Sequence, residues 1–308
     1  MHLNTTEPLR QPAALPLWLP RGVAVLAAAL GGLGVVMWIA ANWAPMGRFG
    51  HFALLQGLVL VMGLGATLKP AARGPLGLLA LLGIGALFAY FGQTYQTGAD
   101  PWQLFALWAA LALPLCWGAR SDVLWAPWAM VVVTAISLWT HTYSGHRWGV
   151  EADQLSMHLM AWTAGLALVT ALSPVCTRWT GAGVWSFRTA VTLTVAAITL
   201  TALGGLFQKP IQAQYVLGLL IFALALALLN VRALFDIFAI SAVALGVNAL
   251  LAIGVARWLF DNGGGGDWAG KLMLMGLIAA GLLAGTVSGI LHVARSHTAA
   301  SEARGEHA

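Results

Sequence analysis

RGPLGLLALLGIGALFAYFGQTYQTGADPWQLFALWAALALPLCWGAR, residues 73–120, carries charge only at Arg73, Asp100 and Arg120. Between those three positions lie two apolar runs, 74–99 and 101–119. A helix needs roughly 20 apolar residues to cross a hydrocarbon core about 30 Å thick, so each run is long enough for one crossing. The same reading extends to the whole chain. Its 308 residues include only 15 Lys or Arg and 10 Asp or Glu, 60% are hydrophobic, and the charged fraction is 8% against about 25% in soluble domains. A water-soluble globule is excluded.

Eight further uncharged runs of comparable length occur, at 22–47, 49–68, 123–146, 154–177, 189–208, 210–231, 237–256 and 272–294. None shows the period-two alternation of a membrane barrel strand, and each is about twice too long for one. The expectation is an all-α integral membrane protein of about ten transmembrane helices. Arg10, Arg21, Lys69, Arg73, Arg120, Arg178, Arg188, Arg232, Arg295 and Arg304 fall on one side; Arg48, Arg147, Lys209, Arg257 and Lys271 fall on the other. This imbalance predicts that both termini are cytoplasmic. The net charge of +5 is thereby a topology signal, and no nucleic-acid motif accompanies it. The expected divisions are a proline-punctuated tail at 1–20, a bundle at 21–295 with halves 21–153 and 154–295, and a tail at 296–308.

The densest polar interruption is the one inside the opening stretch. Asp100, Pro101 and Gln103 have the pattern of a cap, a first helical position and a capping-box partner, and Gly98 supplies a turn. Gln93, Tyr95, Gln96, Asp100, Trp102 and Gln103 are the candidate substrate-binding residues, forming a polar mouth at the ends of two spans. Gly281, Gly285 and Gly289, four residues apart, are candidates for close helix packing. The segment with His141, Tyr143, His146, Arg147, Glu151, Asp153 and His158 matches no metal-ligand spacing, so neither a metal nor a cofactor is expected. Cys116 and Cys176 read as packing residues. Ten tryptophans near the ends of the runs, Trp125 and Trp185 among them, read as an interfacial belt.

Three stretches, IAANWAP at 39–45, GQTYQTGADPWQLFALWAALALP at 92–114 and RSDVLW at 120–125, resemble bacterial membrane proteins of the domain of unknown function 2157 type. The resemblance covers about residues 20–135. It implies a multi-pass protein of the bacterial inner membrane without an established activity, and a small membrane partner protein bearing a GDYxxLxY motif. It transfers no catalytic residues. The chain also lacks HExxH, GxSxG and paired carboxylates on one helix face, which weighs against an enzyme. Membrane lipid is the expected surrounding, and two functions compete. One is a facilitator or carrier for a small or lipid-like substrate; the other is a non-transporting component that binds a partner protein in envelope assembly or stress response.

Overall fold

The computed structural model describes residues 15–42, 47–95, 98–145, 149–231, 234–261 and 268–305. Among them there are helices and no strands. In chain order the α-helices are α1 (Leu15–Ala41), α2 (Gly47–Leu68), α3 (Arg73–Tyr95), α4 (Pro101–Ala119), α5 (Asp122–Tyr143), α6 (Leu155–Ala171), the single turn α7 (Thr177–Thr180), α8 (Val184–Leu206), α9 (Ala213–Leu229), α10 (Ile237–Asp261) and α11 (Trp268–Gly305). The apolar runs thus fold as helices broken near the charges and polar clusters that separated them in the sequence.

Among the described residues, seven stretches are long and apolar enough to cross a membrane: Gly47–Leu68, Pro70–Tyr95, Pro101–Ala119, Asp122–Tyr143, Val184–Leu206, Ile237–Asp261 and Trp268–Val293. An eighth arises if Ala152–Ala171 and Pro174–Thr180, bent by 55° at the break, form one crossing. Gly22–Val35 and Ala213–Leu229 are apolar but shorter. The chain is a membrane protein with several apolar helices.

Both expected tails are partly helical. α1 starts at Leu15 and takes in Pro16 and Pro20. Pro16 stands in the first turn, where N–H groups have no intrahelical acceptor, whereas Pro20 lies inside the helix and forgoes one such bond. α11 continues to Gly305.

The chain divides into two compact units within α4. The first comprises residues 1–97 and 111–119, the second residues 98–110 and 120–308. In the first unit, α3 packs against α2 and α1 through small residues. A Cβ at Gly83 would stand 2.9 Å from Val59 Cγ2, and one at Gly65 3.1 Å from Leu76 Cδ1. Such approaches are how apolar helices gain contact where lipid offers no hydrophobic drive between them. At Gly281, Gly285 and Gly289, by contrast, a Cβ would meet no atom within 4 Å. The close approach expected of that stripe is made elsewhere in the chain. α11 is tied to α10 instead by Thr286 Oγ1, which donates to Asn248 Oδ1 at 3.0 Å.

The second unit has a core of Trp162, Ile198, Ala202, Phe222, Val243 and Leu250 contributed by α6, α8, α9 and α10. Its best-bonded polar feature is the RSDVLW segment. α8 begins after Gly183, an N-cap position with no side chain to offer. Asp122, at the start of α5, supplies the missing cap. Its carboxylate accepts from the N–H groups of Gly183 (2.8 Å), Trp185 (3.1 Å) and Ser186 (3.1 Å) and from Ser186 Oγ (2.6 Å). A carboxylate there meets the orphan donors and the positive end of the helix dipole together. Arg120, in the left-handed region at φ 48°, donates to the Arg178 carbonyl at 2.7 Å, and Trp125 Nε1 to the Thr180 carbonyl at 2.9 Å. Trp125 is therefore a core residue, 2% exposed, whereas Trp117, Trp179, Trp185, Trp258 and Trp268 are exposed as a belt requires. Asp236 likewise caps α10, accepting from the Ala239 N–H at 2.8 Å.

Candidate functional site

The expected polar mouth is divided between the two units. Gln93 and Tyr95 close α3 in the first; Asp100, Trp102 and Gln103 open α4 in the second; Gln96 lies outside the described residues. The first turns of α2 face the last turns of α3, placing Arg48 and His51 opposite Tyr90, Gln93 and Thr94. With Gly47 they line a pocket of about 470 Å³. Tyr90 and His51 are buried, and the Tyr90 hydroxyl lies 3.3 Å from His51 Nδ1. Tyr95 stands outside this lining and packs its ring on Phe52 and Phe91, with centroids 5.8 and 5.0 Å apart. The pocket reaches only to His51 and Tyr90, roughly a turn and a half of helix, or about 7 Å at 1.5 Å per residue.

On the other side of the break, Gly98 adopts φ 70°, a conformation glycine takes freely, and α4 starts at Pro101 as its spacing predicts. The Gln103 N–H donates to the Asp100 carbonyl at 3.0 Å. Trp102 Nε1 is buried without a hydrogen-bond partner.

A deeper site lies in the second unit, where α5 ends, α6 begins and α8 ends. Val133, Ile136, Ser137, Thr140 and His141 of α5 and Ser144 at its C-cap, at spacings of three and four, form one wall. His158, Ala161, Trp162 and Gly165 of α6 and Thr194, Ile198 and Thr201 of α8 form the others, around a cavity of about 420 Å³. From Ser144 to Val133 is three turns, about 16 Å, which is half the thickness of a hydrocarbon core.

The lining contains no Asp, Glu, Lys or Arg. Thr140 Oγ1 donates to the Ser137 carbonyl, Ser144 Oγ to the His141 carbonyl, Thr201 Oγ1 to the Ala197 carbonyl and Thr194 Oγ1 to the Gly165 carbonyl, at 2.7, 2.9, 2.9 and 3.4 Å. The hydroxyls of Thr140, Thr194 and Thr201, each donating its proton to a carbonyl, keep oxygen lone pairs that can accept from a ligand. His158 is 5% exposed, and its Nδ1 has no partner of hydrogen-bond geometry. The Gln154 carbonyl, one turn earlier, is a weak hydrogen-bond acceptor for the ring. A buried nitrogen left in that condition marks a place where a ligand or water completes the bonding.

A second, apolar cavity of about 360 Å³ occupies the opposite end of the same unit, among α6, α8, α9 and α10, with Phe187, Val191, Phe222 and Val243 in its wall. Thr194 and Ile198 line both cavities. Sequence reading singled out His141 and His158 without assigning them a role. It passed over Ser137, Thr140, Thr194 and Thr201, although the spacing of the α5 group is visible in SLWTHTYS, residues 137–144. The described residues hold no group of three His, Cys, Asp or Glu side chains arranged for a metal, and Cys116 and Cys176 are free thiols.

The match to known families ends before this cavity begins. Residues 4–125 match the family described as Predicted membrane protein (DUF2157). No curated protein and no solved structure matches the chain. The matched stretch contains the pocket between α2 and α3 and ends at Trp125, the last residue of the Asp122 cap segment; the 420 Å³ cavity is built wholly from residues after it.

Proposed function

We propose that the protein is a facilitator or carrier for a small amphipathic or lipid-like molecule in the bacterial inner membrane. The observation that supports this most is the pair of cavities in the second unit. One sets hydroxyls and two imidazoles into a partly apolar wall, the other is lined mainly by hydrocarbon, and they share Thr194 and Ile198 as a common wall. A ligand with a polar head and an apolar body finds a matching surface in each half. Pockets of this size bury most of a drug-sized ligand. In this reading the bent helix pair and the two shorter apolar helices also cross, giving ten spans with both termini cytoplasmic. The shallow pocket bearing Gln93 then serves as a polar entrance on the non-cytoplasmic face. The absence of acidic residues from the cavity lining favours an uncharged route over proton coupling.

The test is purification of the full chain in mild detergent with mass spectrometry of bound lipids, small molecules and proteins. Ala161→Phe fills the cavity while leaving its hydroxyls and imidazoles in place. The expected result is an amphipathic ligand held by the wild type and reduced about tenfold or more in Ala161→Phe at unchanged melting temperature, since pocket filling removes on the order of 1.4 kcal/mol or more. Recovery of a stoichiometric small membrane protein with no ligand would establish the partner-binding alternative.

A further inference from the structure

Of the five basic residues on the less basic side of the sequence, three converge in the second unit. A cavity of about 370 Å³ is lined by Phe207, Lys209, Ile253, Ala256, Arg257, Phe260 and Asp261, apart from the two cavities above. Lys271 joins them, its Nζ 5.9 Å from the centroid of the Phe260 ring. Positive residues on that side are few, and the cavity lining itself sets Lys209 and Arg257 against Asp261.

Arg257 is held rather than free to swing. Its Nε donates to Asp261 Oδ2 at 3.2 Å and its Nη2 to the Gln208 carbonyl at 3.0 Å. The side chain is 11% exposed, and the buried Nη1 has no partner. A guanidinium fixed by two bonds and left with an unused N–H is arranged for an oxyanion, whose planar pairs of oxygens match its fork. Lys209, exposed at the rim, adds a point charge that can follow the anion. Phe207, Ile253, Ala256 and Phe260 make the rest of the wall apolar, as a site for an anionic head attached to hydrocarbon requires.

We propose that this cavity binds a phosphate-bearing anion, with Arg257 and Lys209 as its ligands and Lys271 as an outer charge. The site is independent of the carrier reading, since its lining shares no residue with either of the other two cavities.

The test is native mass spectrometry of the full chain in detergent with added phosphatidylglycerol or phosphatidylcholine, together with equilibrium binding of labelled inorganic phosphate. Retention of phosphatidylglycerol over phosphatidylcholine is expected, with a loss of about tenfold in Lys209→Gln and more in Arg257→Gln, the range for one charge-assisted hydrogen bond. That result identifies a lipid headgroup. Binding of inorganic phosphate with the same dependence on Lys209, and no preference for phosphatidylglycerol, identifies a free anion. Because Arg257 also secures the Gln208 carbonyl, its loss can harm the fold, so the exposed Lys209 decides. If Lys209→Gln binds phosphatidylglycerol and phosphate as the wild type does, the proposal is overturned.

Discussion

The two ends of the second unit treat polar groups in opposite ways. At the end where α5 and α8 begin, Asp122 accepts four hydrogen bonds, and Arg120 and Trp125 each find a backbone carbonyl. At the end where α5 stops and α6 starts, His158 Nδ1 and Gln214 Oε1 are buried without partners, although Gln214 Nε2 donates to the Glu151 carbonyl at 2.9 Å. The first end is a closed joint; the second is open to a ligand. Arg188, near the first end, is an instructive intermediate. Its Nε lacks a partner, but its guanidinium lies over the Phe238 ring at 5.1 Å, so the charge is met by an aromatic face. Where burial is not matched by partners in this unit, a cavity lies close at hand for His158 and Arg257. Unmet polarity thus points to binding more directly than polarity alone, which the RSDVLW segment has in abundance.

Substitutions at the two ends should differ most in their effect on stability. Asp122→Ala leaves three backbone N–H groups at the start of α8 without their acceptor, and a charged hydrogen-bond acceptor is worth about 1.5 to 3 kcal/mol. A loss of about 3 kcal/mol is expected, read in detergent as a melting temperature lower by roughly 10 °C. A drop of less than about 2 °C would mean that water replaces the carboxylate at little cost.

Gly183→Ala tests the same joint from the other side. A Cβ at that position would collide with the Asp122 carboxylate, so the carboxylate must move and its bonds lengthen. The expected destabilisation is about 2 kcal/mol, within the range for overpacked sites. Circular dichroism melting of Gly183→Ala and of Gly183→Ala with Asp122→Ala separates the steric term: the double variant should be little worse than Asp122→Ala alone.

His158→Leu should do least. Its Nδ1 makes no hydrogen bond of full geometry, and an apolar side chain of similar size in a buried site is nearly neutral or stabilising, so the change should stay within about 1 kcal/mol. Ligand retention should fall in the same variant. A melting temperature as low as that of Asp122→Ala would show that both ends are joints and remove the contrast between them.

How much of this was legible beforehand depends on the range of the interaction. The break at Gly98, Asp100 and Pro101 is local, and the helix boundary falls where the capping pattern predicts it. The candidate mouth was half legible. Gln93 lines a pocket because it is one turn from Tyr90 on the face that meets Arg48 and His51, but Tyr95, two residues on, points its ring to Phe52 and Phe91. A polar cluster at a helix end names residues, whereas the helical face decides which of them share a cavity. The Gly281, Gly285 and Gly289 stripe met a similar limit. Regular spacing shows where a neighbour could approach, and within this chain the close approaches include Gly83 and Gly65, whereas a Cβ at the three stripe positions meets no atom within 4 Å.

What the sequence determined by itself is the class of molecule and its helices, since charge spacing and apolar length act within one segment and the membrane enforces internal hydrogen bonding on every crossing. What only the tertiary structure decided is the pairing of Asp122 with Gly183, Trp185 and Ser186, some 61 to 64 residues away, and the meeting of Ser137, His158 and Thr194 around one cavity. Those contacts depend on which helices become neighbours. Nothing in a run of leucine, alanine and glycine specifies that until the helices pack.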